Sequence, residues 1–173
     1  EILTKIAPEL CLSEDKVLTA LRLPHLKHVI KIDDQLQIGM HRFSDLMPEP
    51  SPKQLQQLQL IAQDLQFDET INIQFTSGTT GNPKGTMLTH NNILNNGYFV
   101  GEAIRLSPQD RVCISVPLFH CFGMVMGNLA CITHGSAMVY PSAVFNPLDS
   151  LNAIQQEKCT ASYGVPTMFI AML

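Results

Sequence analysis

Ten residues near the middle of the chain carry most of the chemistry that its sequence makes legible. Thr76-Ser77-Gly78-Thr79-Thr80-Gly81-Asn82-Pro83-Lys84-Gly85 packs four hydroxyls, three glycines and one lysine into a single stretch. Glycine has no Cβ, so the backbone at these positions can turn tightly and approach a ligand. Successive backbone N–H groups in such a turn converge on an anion, and the hydroxyls of Thr76, Ser77, Thr79 and Thr80 add donors. Lys84 supplies a mobile positive charge for phosphate oxygens, and Pro83 stiffens the exit. The chemistry implied is a grip on a polyphosphate. A Walker phosphate loop, G-x-x-x-x-G-K-[ST], does not fit. Counted from Gly78, its second glycine would fall on Pro83, and Lys84 is followed by Gly85 instead of a magnesium-holding hydroxyl. The remaining reading, a Gly/Thr-rich surface turn with no ligand, is a poor account of so dense a string.

Such a loop must be held by regular elements. Ile71-Asn72-Ile73-Gln74-Phe75 alternates apolar and polar and reads as a strand leading into it, with Thr86-Met87-Leu88 as a strand leading out. A helix comes next over about 90–103, then strands at 112–116, 137–140 and 160–163 alternate with helices at 121–132 and 147–156. Strand–helix alternation with largely apolar strands predicts an α/β fold, a mostly parallel sheet flanked by helices. Upstream, residues 1–10 have a helical apolar pattern, and Ser13-Glu14-Asp15 marks a second helix start with Val17, Leu18 and Leu21 on its apolar face. Pro24 ends that helix, 26–32 reads as a short strand, and 33–50 is turn-rich. Ser51-Pro52 opens a further helix, Ser as N-cap and Pro at the first position, whose Leu55, Leu58, Ile61 or Ala62, and Leu65 form one buried stripe. The expected organisation is 1–70 as an upstream part and 71–173 as the βαβ part that carries the loop.

Composition narrows the function classes. Apolar residues make up 45% of 173, enough for a core, and the net charge of −4 without any lysine- or arginine-rich run argues against a nucleic-acid partner. No apolar run approaches the roughly 20 residues of a membrane-spanning helix. Five cysteines, Cys11, Cys113, Cys121, Cys131 and Cys159, include no C-x-x-C pair and predict buried free thiols in a reducing compartment, cytoplasm by default. The first residue is not Met and the last stretch is a helix start that stops while still apolar, so a piece of a longer chain is expected. Apolar surface exposed in that way favours self-association, which would then be an artefact of truncation.

The ten-residue string and three later motifs resemble the adenylate-forming superfamily of acyl-CoA synthetases, luciferases and peptide-synthetase adenylation domains. Thr76 to Gly85 is similar to that family's signature loop. Thr89-His90-Asn91-Asn92 resembles the helix start after the loop, Pro117-Leu118-Phe119-His120-Cys121-Phe122-Gly123 the next motif, and Gly164-Val165-Pro166-Thr167-Met168-Phe169 the one after. Within the superfamily the texture is most similar to medium-chain fatty acyl-CoA synthetases. The resemblance extends from about Asp68 to Leu173 and is thin before it.

The resemblance implies part of a large N-terminal domain whose parent converts a fatty acid, ATP and coenzyme A to acyl-CoA, AMP and pyrophosphate through an acyl-adenylate. Thr76, Ser77, Gly78, Thr79, Thr80 and Gly81, with Asn82, Pro83 and Lys84, would wrap the phosphates. Thr79 is the implied Mg²⁺-contacting hydroxyl, and Lys84 the charge that steadies the loop or the leaving group. His120 would orient the reacting carboxylate beside an acyl pocket of Tyr163, Val165 and Thr167, which Met168, Met124 and Met126 could join; a core histidine is the plainer alternative. His90 matches a capping position, while His25, His28, His41 and His134 read as ordinary surface or core residues. A Cys121–His120 catalytic pair is disfavoured, because adjacent side chains rarely face each other and no orienting third group is visible. The family's later Gly-Tyr-Gly-x-Thr-Glu-like and Tyr-x-Thr-Gly-Asp-like segments are not in this sequence, nor are the hinge and catalytic lysine of the C-terminal domain. The chain alone is therefore expected to be inactive. A non-catalytic nucleotide- or polyphosphate-binding module is the alternative function.

Overall fold

A computed structural model describes residues 2–33, 35–77 and 81–173. The chain divides into two compact units, Glu1–Asp64 and Leu65–Leu173.

In the first unit, helix α1 (Ile2–Ile6) gives way to a 3₁₀ turn over Pro8–Leu12, because Pro8 brings no N–H to continue the ladder. The helix expected from Ser13 does not form. Lys16 takes a left-handed φ of 60°, and the Leu18 N–H goes to the Lys27 carbonyl at 2.7 Å instead of one turn back. Burial then alternates, with Leu18 and Ala20 inside and Val17 and Leu21 outside, which is the period of extended chain. Strand β1 (Val29–Lys31) is shorter than expected. It pairs in parallel with β2 (Met40–Arg42), a strand hidden within the stretch read as turn-rich. Ala7, Leu10, Leu18, Ala20 and Val29 form the core, with Leu3, Leu23, Leu26 and Met40 packed against it. Gly39, at φ 78°, sits so close to Leu10 that a Cβ there would lie 1.9 Å from its carbonyl oxygen. Helix α2 (Pro52–Asp64) begins as predicted, with the Ser51 hydroxyl and the Gln54 side chain capping it reciprocally. Its apolar stripe is nevertheless exposed: none of its residues is buried.

The second unit opens with an antiparallel hairpin, β3 (Thr70–Thr76) and β4 (Lys84–Thr89). Helix α3 (His90–Ala103) begins at once. Its cap is Thr89, not His90: the Thr89 hydroxyl accepts the Asn92 N–H while the Asn92 side chain accepts the Thr89 N–H, both at 3.1 Å. Strand β5 (Arg111–Ile114) lies at the centre of a parallel sheet, between β6 (Ala137–Val139) and β7 (Ala161–Tyr163). The fold is thus mixed α/β with parallel sheets flanked by helices.

The helical segment expected over 121–132 has three parts. Cys121–Gly123 (α4) is α-helical, Met124–Leu129 widens into a π turn, and Ala130–His134 (α5) closes it. Gly97 and Gly101, four apart on one face of α3, let this segment come close; Cβ atoms there would fall 2.6 Å from Leu129 and 2.3 Å from His134. His134 fills the gap, stacked on Tyr98 and 3.2 Å from the Glu102 carboxylate. Helix α6 (Pro147–Gln156) packs beside the sheet, capped by Asn146, and α7 (Pro166–Met172) ends the described chain. Val112, Ile114, Val116 and Cys131 make the core of this unit.

Candidate functional site

The hairpin ladder pairs Thr76 with Lys84, so the two ends of the phosphate-loop string are held opposite one another. The Thr76 hydroxyl donates to the Lys84 carbonyl at 3.5 Å, a marginal bond that a phosphate oxygen would replace. Thr76, Ser77, Gly81, Asn82, Pro83 and Lys84 are all exposed. Nothing among the described residues lies within 4 Å of where a Cβ on Gly81 would stand. Among the described residues, no carboxylate pairs with the Lys84 ammonium. The exposed Ser77 hydroxyl and the Lys84 cation, with the weakly held Thr76 hydroxyl beside them, suit a polyanion such as a nucleoside triphosphate. Gly78, Thr79 and Thr80 lie outside the described residues, and with them the implied magnesium contact.

His120 stands at the end of the Pro117-Leu118-Phe119 turn and caps α4. Its Nδ1 accepts the Phe122 N–H at 3.0 Å. That bond fixes the neutral tautomer: the proton must sit on Nε2, which is left as a donor. His120 is exposed, so the core-histidine reading does not apply.

Tyr163, at the end of β7, is committed elsewhere. Its hydroxyl donates to the Met126 carbonyl at 2.6 Å, inside the π turn, and its ring stacks on Phe122 at 5.5 Å. Burial, and then the nearby Cys131 and Tyr140, push its phenol well above the ordinary range. It can serve a pocket as a wall but not as a free hydroxyl. Val165 caps α7 without a side-chain bond, and both it and Thr167 are exposed. Met168 packs on the core.

Two clefts open in the second unit, and none of His120, Tyr163, Val165 and Thr167 lines either. One, of about 790 Å³, lies beyond the carboxyl ends of β5 and β6 and is lined by Ile114 to Phe119 and by Tyr140 and Ser142 to Phe145. The carboxyl ends of parallel strands are where α/β sheets bind ligands. The other, of about 600 Å³, lies between β4, α3 and the start of the π turn, lined by Met87, Leu88, Asn92, Ile93, Asn96, Cys121, Val125 and Met126 among others. Sequence reasoning missed Tyr140, Val144 and Phe145 because nothing local marks them, although their place just past a predicted strand end was a usable signal.

The five cysteines are all free; Cys113 and Cys131 are buried, whereas Cys11 is exposed, against expectation. Burial raises the Cys131 thiol to about 11, so it is inert at neutral pH. Among the described residues no group of three or more His, Cys, Asp or Glu side chains converges as a metal site, and no helix is long and apolar enough to cross a membrane.

Comparison with known proteins gives this geometry a family. The pattern of the AMP-binding enzymes matches residues 1–173. The medium-chain acyl-CoA ligase ACSF2 of Danio rerio, described as mitochondrial, is 42% identical over 175 residues, which cover 100% of this chain and 29% of that protein. Acyl-CoA ligase SID4 of Ajellomyces capsulatus is 44% identical over 152 residues, covering 88% of this chain and 26% of its own. Among solved structures, ATP-bound MatB from Rhodopseudomonas palustris superposes with a TM-score of 0.57 at 28% identity, over 63% of this chain and 21% of that one. The AMP complex of the Bacillus subtilis O-succinylbenzoate coenzyme A synthetase MenE gives 0.52 at 32% identity over 62% of this chain and 22% of that one. The chain therefore spans under a third of its relatives' length, and with its loop, hairpin and parallel sheet it belongs to the AMP-binding enzyme family.

Proposed function

We propose that this chain is the phosphate-gripping portion of an ATP-dependent acyl-CoA synthetase, with a fatty acid of medium length as substrate. The observation that carries the reading is the end of the hairpin, where the ladder holds Lys84 opposite Thr76 and the Lys84 ammonium pairs with no described carboxylate. In the proposed reaction a carboxylate oxygen of the acid attacks the α-phosphorus of ATP and the bond to pyrophosphate breaks. The thiol of coenzyme A then attacks the acyl carbon and AMP leaves. Both partners in the first step are anionic, so positioned donors must offset their repulsion. Thr76 and Ser77 hold phosphate oxygens, and Lys84 neutralises charge that accumulates on the departing pyrophosphate. Magnesium, when bound with ATP, supplies further charge neutralisation. His120, with its proton fixed on Nε2, holds the acid's carboxylate in place. Apolar chain atoms of the acid are accommodated by the two clefts that open at Phe119 and Cys121, on either side of His120 in the chain, one walled by Tyr140 and Phe145 and the other by Met87 and Met126.

Five unpaired cysteines suit a reducing compartment, and the mitochondrial relative is compatible with an organellar one. Residues 1–173 alone are proposed to be inactive, because the ribose-holding segment and the catalytic lysine that the family resemblance implies are not among them. The test uses the full-length parent, assayed for acid-dependent exchange of pyrophosphate into ATP across a panel of fatty acids. We expect exchange that peaks at medium chain length and falls at least about 100-fold in Lys84→Ala, a loss of ~2.7 kcal/mol in transition-state stabilisation. Exchange untouched by that substitution would refute the role of the loop. A folded parent that binds ATP yet exchanges with no acid would support a non-catalytic nucleotide-binding module instead.

A further inference from the structure

The first unit holds a pair of histidines that the adenylation chemistry does not use. In the parallel β1–β2 pair Ile30 stands opposite His41, and residues 28 and 30 share a face by the period of the strand. His28 and His41 are therefore diagonal neighbours on one face. Their rings approach to 5.2 Å between centroids, and His28 Nδ1 lies 3.1 Å from His41 Nε2. The Lys16 carbonyl oxygen lies 3.1 Å from the same His41 nitrogen. It is brought there by Lys16's left-handed backbone, an uncommon conformation for a residue with a side chain.

All three atoms carry lone pairs, and one proton at most can lie among them in a satisfied arrangement: a His41 Nε2–H shared between the Lys16 carbonyl and His28 Nδ1. One electron-pair acceptor placed among the three atoms would engage all three lone pairs in place of that shared proton. For a tetrahedral ion with Zn–N of about 2.0–2.1 Å, adjacent ligand atoms are roughly 3.3 Å apart, close to both separations here. We propose that His28 Nδ1, His41 Nε2 and the Lys16 carbonyl oxygen form a binding site for a divalent late transition-metal ion, of which Zn²⁺ is the type. Imidazole donors select such ions over Mg²⁺. Asp45 places a carboxylate in the electrostatic surroundings of His41 and offsets the neighbouring Lys16 and Arg42 cations. The third donor belongs to the backbone, so no cluster of three metal-binding side chains marks the site. The ion would clamp the 13–28 segment to β2 and thereby stiffen the first unit without touching the phosphate loop.

The experiment is calorimetric titration of Zn²⁺ into the tag-free, chelator-treated chain, with Mg²⁺ titrated in parallel. One Zn²⁺ per chain is expected at this site, with binding at least tenfold weaker in His28→Gln and in His41→Gln and no comparable Mg²⁺ heat. His28 is exposed, so its variant can be checked for unchanged circular dichroism. His25→Gln and Cys11→Ser remove exposed ligand atoms outside the pair and should leave the affinity unchanged. Absence of Zn²⁺ binding, or binding weakened by His25→Gln or Cys11→Ser but not by His28→Gln, would overturn the proposal.

Discussion

The two sheets of the second unit dispose of their side chains in opposite ways. In the parallel sheet β5 is covered on both faces, with Val112 and Cys113 at 0% exposure and Ile114 at 3%. In the hairpin the apolar residues Ile71, Ile73 and Phe75 of β3 and Met87 of β4 all lie open, Phe75 at 73%. The polar positions turn inward instead: Gln74 donates to Asn72, and Asn72 reaches the Met124 sulfur at 3.9 Å. An alternating strand normally buries its apolar face. The hairpin is thus held chiefly by its ladder, whereas β5 is held by burial on both faces.

That contrast can be broken at several points. Lys84→Ala should abolish most exchange activity in the parent yet shift its melting temperature very little, because the side chain is exposed and pairs with no described carboxylate. A large stability loss would mean that the hairpin tip is structural after all. Val112→Ala should destabilise the second unit by about 2 kcal/mol in a urea titration, since its methyl groups leave a gap that the flanking helices cannot fill. Phe75→Ser should cost less than about 0.5 kcal/mol and should reduce any concentration-dependent self-association of the isolated chain seen by light scattering. Equal costs for the two substitutions would erase the distinction between the sheets.

Tyr163→Phe probes the link between β7 and the π turn. Loss of its bond to Met126 should cost about 1 kcal/mol without changing near-neutral pH dependence. At the amino end of the same sheet, Asp110 accepts from the Ser107 N–H and hydroxyl and from the Thr160 hydroxyl. These bonds, Ser107's first, hold its carboxyl below the ordinary 3.8. A group depressed in the folded state stabilises fully above its unfolded value and loses that contribution as pH falls through the folded one. Acid should therefore weaken the sheet from about pH 4 downward, and Asp110→Asn should flatten that part of the profile. An unchanged acid limb would show that this network contributes nothing. An effect of opposite sign is expected at Lys158, which holds φ 52° just past α6 while the Cys159 N–H closes onto the Ile154 carbonyl. That is a Schellman ending with lysine where glycine is usual, so Lys158→Gly should stabilise by about 0.5 kcal/mol.

Features set by a few neighbouring residues were legible in the sequence. The Ser51-Pro52 helix start, α3 from His90 and α6 over Pro147–Gln156 arise from caps, prolines and local period, and the strands that flank the proposed phosphate loop arise from alternation. The parallel sheet came from the strand–helix rhythm. Tertiary structure alone decided the rest, because it depends on which residues distant in sequence come to share a surface. Ser13 looked like a helix start until Lys27 claimed the Leu18 N–H. The α2 stripe has the spacing of a buried face but remains exposed within its own unit. The π turn is fitted against β7, whose Tyr163 takes one of its carbonyls, and two histidines thirteen residues apart meet only because β1 and β2 pair in parallel. Residue types and spacing nominated the groups proposed to bind phosphate; the β3–β4 pairing decided which of the described ones stand opposite each other and exposed.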